Sequence, residues 1–128
     1  MIDVACAVIH HKGDIVIARR GPGRDEGLWE FPGGKREPNE TIEQCAIREI
    51  KEEIGVDIVP KEVLFTKVED IPGKGVFKLH YIKCECELWI PALSEHSDIK
   101  LCNPKELSNY SYVPGDMAFV NHKYSASA

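Results

Sequence analysis

The sequence predicts an α+β fold with one hydrophobic core, and the order of three local patterns supports this prediction. A pair of short apolar runs comes first, an amphipathic helical pattern follows, and a second pair of runs rich in β-branched and aromatic residues comes third. Strands, a helix and further strands in this order are typical of α+β domains. The chain has 128 residues, and single domains commonly have about 100 to 150. We therefore expect a single domain over residues 1–128.

The first hairpin is predicted from the apolar runs at residues 4–9 and 15–18, which are separated by a polar stretch ending in Gly13-Asp14. Residues 21–30 contain three glycines and a proline without periodicity, and Pro32-Gly33-Gly34 follows almost at once. We expect this whole region to be loop.

The helix at residues 41–54 is the most clearly predicted element. Thr41 and Gln44 have the spacing of a capping box, and apolar residues recur at four-residue steps after them. Gly55 is suited to the position that follows a helix, because glycine adopts the left-handed conformation needed there.

The second hairpin is predicted from residues 63–68 and 76–90, with a turn at residues 72–75 and a bulge in the longer arm. Three shorter elements are expected after it: a strand at residues 99–102, a helical turn at residues 105–107 and a last helix at residues 116–123.

Composition and charge argue against several classes of protein. The apolar runs are far shorter than the ~20 residues needed to cross a bilayer, and the first residues lack the pattern of a signal peptide. We therefore expect a cytoplasmic protein without a membrane partner. The net charge of −5 argues against duplex nucleic acid as a partner. An odd number of cysteines without CxxC spacing predicts reduced, buried thiols at Cys6, Cys45, Cys84, Cys86 and Cys102.

Three carboxylates share one face of the predicted helix. Glu49, Glu52 and Glu53 stand at positions i, i+3 and i+4, and such close like charges repel one another unless a cation compensates them. Oxygen-only ligands suit Mg²⁺ or Mn²⁺ better than zinc. A glutamate-rich helical face is more often simply solvated, so this face alone leaves both interpretations open.

The residues around the helix complete a longer pattern. Its fixed positions are, in order, Gly34, Glu40, Arg48-Glu49-Ile50, Glu52-Glu53 and Gly55-Val56. This pattern resembles the Nudix box at every defining position, and the resemblance continues upstream through residues 28–33. At typical residue frequencies such a match arises by chance in fewer than about one in 10⁶ chains of this size. The sequence is therefore identified as that of a Nudix hydrolase.

The resemblance implies a mixed β-sheet packed between helices, with the box as a loop, a helix and a loop. It also implies a Mg²⁺ site, with Mn²⁺ as an alternative, whose ligands in the box would be Glu49, Glu52, Glu53 and the carbonyl of Gly33. Arg48 would orient Glu49 by a charge-assisted hydrogen bond. Three further residues, Gly34, Glu40 and Gly55, would support the structure of the box.

The short chain and the residues before the box are similar to the MutT-type branch. In that branch water attacks the β-phosphorus of a free nucleoside triphosphate and releases the monophosphate and pyrophosphate. Substrates implied for this chain are 8-oxo-dGTP or pyrimidine (d)NTPs, which suggests a role in mutation avoidance related to DNA repair. The general base is either Glu49 or Glu95, and Glu95 is also a candidate metal ligand on a late loop.

Three other residues occupy positions where relatives contact the substrate, and each has a structural alternative. Arg20 would bind the nucleotide or be a solvated strand end. Phe31 would stack on the base or belong to the core. Asp116 would read the base, act as a helix N-cap, or do both. The histidines show no ligand spacing, so no catalytic role is assigned to them.

Two other functions remain open. The box indicates a substrate in which a nucleoside diphosphate is linked to a further group X, but it does not identify X. An ADP-ribose or dinucleoside polyphosphate hydrolase is therefore an alternative. A non-catalytic nucleotide-binding Nudix domain is a second, although such domains typically lack one or more of the helical glutamates. Residues 70–77 depart from the MutT pattern, which argues against 8-oxoguanine preference, and the late segments look more like those of CTP-hydrolysing relatives. The sequence leaves both a monomer and a homodimer possible.

Overall fold

A computed structural model of the chain describes residues 1–92 and 96–124. Within them the chain forms a seven-stranded mixed sheet with a helix on each face, which confirms the predicted α+β fold. The elements in order are β1 (Ile2–His11), β2 (Asp14–Arg20), β3 (Trp29–Glu30), β4 (Gly33–Lys35), α1 (Ile42–Glu53), β5 (Val59–Ile71), β6 (Gly75–Glu85), β7 (His96–Cys102), a 3₁₀ helix (Pro104–Asn109) and α2 (Pro114–Lys123).

The first hairpin opens soon after its turn. β1 and β2 share only two residue pairs, and they then diverge. Beyond that point β4 takes the place of β2 beside β1, and β3 takes the place of β1 beside β2. The other edge of β1 pairs in parallel with β6, and the other edge of β2 pairs with β7. The segment from β3 to β4 occupies the gap, and the amide of Ala7 donates to the carbonyl of Pro32 at 2.8 Å.

The prediction of loop at Gly33 and Gly34 is wrong for this reason. Where β2 diverges, the backbone of β1 needs new hydrogen-bond partners, because buried amide and carbonyl groups are costly to leave unpaired. The glycine segment supplies them as β4, with Gly33 opposite Cys6 and Gly34 opposite Ala5.

Both faces of β1 are buried, and its side chains alternate between two cores. Ala5, Ala7 and Ile9 pack with α1, whereas Cys6 and Val8 pack with α2. The expected burial of the thiols is confirmed, since five free, buried cysteines are found: Cys6, Cys45, Cys84, Cys86 and Cys102.

Helix α1 begins and ends where the sequence indicates. The hydroxyl of Thr41 accepts a hydrogen bond from the amide of Gln44, and the side chain of Gln44 accepts one from the amide of Thr41, so the capping box is complete. Gly55 has a φ of +81°, and its amide donates to the carbonyls of Ile50 and Lys51. These contacts fix the helix that carries the three glutamates.

The later elements differ from the prediction in extent. β6 ends at Glu85 instead of residue 90, because β1 ends at His11 and offers no partner strand beyond it. The register shifts lie in β5, between Pro60 and Phe65, and not in the arm where a bulge was expected. β7 begins at residue 96 rather than 99, since β2 pairs with it along its length.

Helix α2 begins at Pro114, two residues before the predicted start. Asp116 is therefore the third helical residue, and the N-cap position is taken by Val113, which makes no side-chain cap hydrogen bond. The interpretation of Asp116 as an N-cap is wrong. In the described parts of the chain, we find no helix whose length and apolar character would allow it to span a membrane.

Candidate active site

A cavity of about 700 Å³ opens beside β1 and β4. It is lined by Gly33, Gly34 and Glu53 of the box region and by Asp116 at the start of α2. Arg20, together with residues 69–72 at the end of β5, lines its walls. Six of the residues that the sequence singled out line this cavity: Arg20, Phe31, Gly33, Gly34, Glu53 and Asp116. Its lining does not include Glu40, Arg48, Glu49, Glu52 or Gly55.

Gly33 and Gly34 hold the box close to the sheet because neither position has room for a side chain. A Cβ atom on Gly33 would overlap the backbone carbonyl of Ala5, and one on Gly34 would overlap the carboxylate of Glu49. The absence of side chains lets β4 lie against β1 and lets the Glu49 carboxylate reach β4.

Arg48 connects the loop of the box with its helix. It binds Glu40 through two hydrogen bonds, of 2.7 Å from Nη2 and 3.0 Å from Nε. Its Nη1 donates to Glu49 at 2.8 Å and to Glu52 at 3.3 Å, and Nη2 donates to the carbonyl of Lys35 at 3.2 Å. The contact with Glu49 has the geometry that the resemblance implies, and one guanidinium offsets part of the repulsion among the carboxylates.

Glu40 has a structural role in this network, because it anchors the guanidinium of Arg48. The hydrogen bond from Arg48, together with one from the amide of Glu37 at 2.8 Å, lowers the pKa of Glu40 to about 2. Glu40 therefore stays ionised at any physiological pH, and it fixes both the guanidinium and the turn that leads into α1.

The donor set of the box is consistent with a hard cation. Its side-chain oxygens are carboxylates, and Glu53 lies at the cavity together with Gly33. Glu52 is the most exposed of the three glutamates, with 60% of its side chain accessible, compared with 18% for Glu49. Across residues 1–92 and 96–124, no three histidine, cysteine or acidic side chains are grouped so that they could hold a metal ion. Glu95 lies outside the described residues, so its assignment stays a prediction.

Asp116 is a buried residue of the cavity lining. Its Oδ2 accepts a hydrogen bond from the amide of Phe31 at 2.8 Å, and its Oδ1 accepts one from the hydroxyl of Tyr81 at 2.6 Å. Burial raises the pKa of Asp116 to about 7, although both hydrogen bonds oppose this shift. Near neutral pH the carboxyl group is therefore present in both protonation states. An exposed aspartate would only accept hydrogen bonds at this pH, whereas protonated Asp116 can also donate one.

Comparison with known proteins assigns the family. The model of the NUDIX domain matches residues 1–127. The chain belongs to the Nudix family. It is 33% identical over 121 residues to the CTP pyrophosphohydrolase of Escherichia coli (strain K12), an alignment that covers 94% of this chain and 89% of that protein.

Two further Nudix relatives agree with this assignment. The 8-oxo-dGTP diphosphatase of Proteus vulgaris is 36% identical over 96 residues, which cover 73% of this chain and 83% of that protein. The solution structure of the E. coli ORF135 protein superposes with a TM-score of 0.82 and 28% identity, and it covers 100% of this chain and 95% of that one.

Phe31 belongs mainly to the core of this Nudix domain, the second of the two roles considered for it. Only 3% of it is exposed. Its ring stacks on Tyr112 with centroids 5.8 Å apart, and it meets Phe119 and Tyr81 edge-on. Since Phe31 also lines the cavity, its stacking on a base stays a prediction.

Arg20 lies at the cavity wall and is partly exposed. Its Nη1 donates to Glu30 at 3.0 Å, and its Nε donates to the carbonyl of Arg24 at 2.9 Å. These contacts orient the guanidinium, and they fit both a substrate-binding arginine and a solvated strand end. Substrate binding by Arg20 stays a prediction.

Sequence reasoning missed two residues of the cavity wall. Glu30 and His96 both line the cavity, and Nε2 of His96 donates to Oε2 of Glu30 at 2.8 Å. Burial alone would raise the pKa of Glu30, but the hydrogen bond from His96 and the charge of Arg20 outweigh it and lower that pKa. Glu30 stands in the segment before the box, whereas no sequence spacing indicates His96, because its contact depends on how β7 pairs with β2.

Proposed function

We propose that the chain is a Mg²⁺-dependent pyrophosphohydrolase that converts free nucleoside triphosphates into the monophosphate and pyrophosphate. The cavity is the observation that carries this proposal. It joins the carboxylate-bearing box to a buried, hydrogen-bonding carboxyl group at Asp116, and its volume of about 700 Å³ falls in the range of small-molecule sites. A triphosphate beside the box and a base beside Asp116 would use both features.

The box would perform the chemistry. Bound by Glu49, Glu52, Glu53 and the carbonyl of Gly33, Mg²⁺ or Mn²⁺ would neutralise phosphate charge and lower the pKa of an attacking water. Arg48 keeps the Glu49 carboxylate in place by their 2.8 Å hydrogen bond. The general base would be Glu49 or Glu95.

The base of the nucleotide would be recognised beside Asp116. Ionised Asp116 would accept hydrogen bonds from cytosine N4 or from guanine N1 and N2, and each of its oxygens has a second lone pair beyond the bond it already accepts. The relatives named for CTP and for 8-oxo-dGTP support these two bases. Arg20 would contact the phosphates, and Phe31 would border the base.

This activity would serve to remove damaged or surplus free nucleotides before they reach DNA. The proposed partner is accordingly a free nucleotide in the cytoplasm, and neither duplex nucleic acid nor a membrane is required. The same reaction is compatible with a monomer and with a homodimer.

A substrate panel with pyrophosphate detection tests the proposal. CTP, dCTP, 5-methyl-dCTP, 8-oxo-dGTP, dGTP and dTTP should be compared with ADP-ribose and diadenosine polyphosphates, each with and without Mg²⁺. We expect pyrophosphate release from the cytosine or guanine nucleotides, and hydrolysis in ¹⁸O-labelled water should place the label in pyrophosphate. Label in the monophosphate, or preference for ADP-ribose, would contradict the proposal, and absence of all activity would favour a binding domain.

A further inference from the structure

Three strands bring His96, Glu30 and Arg20 together at the cavity wall. Glu30 of β3 stands opposite Ala18 of β2, which places it on the same face of the sheet as Arg20. His96 of β7 stands opposite Arg20, because a register shift in this strand pair makes Ser97 an extra residue. Without the shift, Ser97 would face Arg20 and the histidine would point to the other face.

The contacts form a chain along the cavity wall. Nε2 of His96 donates to Oε2 of Glu30 at 2.8 Å, and Nη1 of Arg20 donates to Oε1 of Glu30 at 3.0 Å. The exposed fraction of the side chains rises along the chain, from 6% for His96 through 18% for Glu30 to 38% for Arg20. His96 and Glu30 are therefore largely shielded from solvent, while the arginine reaches it.

The ring of His96 depends on Glu30 for its orientation. Its second nitrogen, Nδ1, is buried and has no hydrogen-bond partner among the described residues. A buried polar group without a partner is costly, whereas Nε2 has a charged acceptor in Glu30. An apolar residue at position 96 would leave the largely buried carboxylate of Glu30 without this donor.

Arg20 is fixed at two of its three nitrogens. Nε is held by the carbonyl of Arg24, and Nη1 is held by Glu30. In the part of the chain that the structure describes, no partner is found for Nη2. Because the guanidinium is planar, fixing Nε and Nη1 also fixes the direction of Nη2, which is a suitable donor for a phosphate oxygen.

We propose that Glu30 and His96 are positioning residues that hold Arg20 ready for a phosphate oxygen of the nucleotide. Neither would touch the reacting atoms. Their effect would be to remove the cost of ordering a flexible arginine when the nucleotide binds. This inference rests on the proposed function, since it requires a phosphate chain in the cavity.

Two substitutions at one position provide the kinetic test. The amide nitrogen of glutamine can reach the place of Nε2, whereas asparagine is too short to reach Glu30. With CTP as substrate, we expect His96→Asn to raise KM about tenfold, the equivalent of one hydrogen bond to a charged group, with kcat within about twofold of wild type. His96→Gln should restore most of the loss, and His122→Asn, at an exposed histidine of α2, is the matched control.

A double-mutant cycle tests whether the histidine acts through the arginine. Arg20→Ala alone should raise KM at least as much as His96→Asn, and the double variant should be no worse than Arg20→Ala. Additive effects, or equal losses in His96→Gln and His96→Asn, would overturn the proposal, because they indicate a role in packing. A lower Tm without a change in KM would overturn it as well.

NMR of the ¹⁵N-labelled arginine side chains supplies a readout that requires no turnover. We expect the Nε–H group of Arg20 to be ordered in the wild type and in His96→Gln, and mobile in His96→Asn. An unchanged order parameter in His96→Asn would overturn the proposal. If the wild type releases no pyrophosphate from any nucleotide, the proposed function fails, and the arginine spectrum still decides whether the pair positions Arg20.

Discussion

Asp116→Asn should change how the stability of this protein depends on pH. Burial raises the pKa of Asp116 to about 7, from the 3.8 of an ordinary aspartate. Between these values the folded state keeps a proton that the unfolded state has released. Stability from this group is therefore fully present below the unfolded pKa, and it is lost as pH rises through the folded pKa. Asparagine does not titrate, so the variant lacks this dependence.

The linkage relation gives the size of the effect. For pKa values of about 7 and 3.8, raising the pH from 5 to 8 removes about 2 to 3 kcal/mol from the free energy of unfolding of the wild type. The asparagine can keep the local contacts, because its carbonyl can accept from the amide of Phe31 and its amide can donate to the oxygen of Tyr81. The free energy of unfolding of Asp116→Asn, relative to that of the wild type, should therefore be about 2 to 3 kcal/mol higher at pH 8 than at pH 5.

Urea unfolding of both proteins at pH 5 and pH 8 measures this difference. Asp57→Asn controls for the loss of one charge, since 89% of the Asp57 side chain is exposed. If the difference between Asp116→Asn and wild type is the same at both pH values, the carboxyl is ionised throughout. The argument that burial outweighs its two hydrogen bonds would then be refuted.

The remaining predictions concern the box. Glu52→Gln and Glu53→Gln should each lower kcat at least about 10²-fold with little change in Tm, because each removes an anionic ligand at constant volume; near-full activity at saturating Mg²⁺ would contradict the metal assignment. Glu40→Gln should lower kcat less than about tenfold, as one acceptor for the arginine remains, and a loss equal to that of Glu53→Gln would refute its supporting role. Gly34→Ala should fold but lose activity, since its methyl group displaces the flexible carboxylate of Glu49. Gly33→Ala should be strongly destabilised, because its methyl group overlaps the backbone of Ala5. Circular dichroism measures the folding of each variant, and pyrophosphate release measures its activity.

The sequence predicts best what depends on neighbouring residues. The capping box of Thr41 and Gln44 and the left-handed Gly55 follow from spacing within and next to one helix, and the structure has them where they were expected. The fold class follows from the same local patterns. The family was recognised from the box because its residues are also close together in the chain.

The errors share a different physical cause, which is pairing between distant segments. Gly33 and Gly34 have no strand propensity of their own, and they form β4 only because β1 and β2 diverge. Asp116 resembled a helix cap from its neighbours, but its hydrogen bonds go to Phe31 and Tyr81 on other elements. The position of His96 beside Arg20 depends on one extra residue in β7, which no local pattern reveals.

Buried cysteines lie on both sides of the sheet, in the layer under α1 and in the layer under α2, so the opening of each layer can be measured separately. Cys84 is buried in the core beneath α1, and Cys102 in the core beneath α2. Burial raises the pKa of both thiols, to about 12 for Cys84, so neither reacts readily with alkylating reagents while its layer is closed. Rates of labelling at each thiol therefore report the opening of one layer at a time. Measured with and without nucleotide, they would show which side of the sheet a bound substrate stabilises.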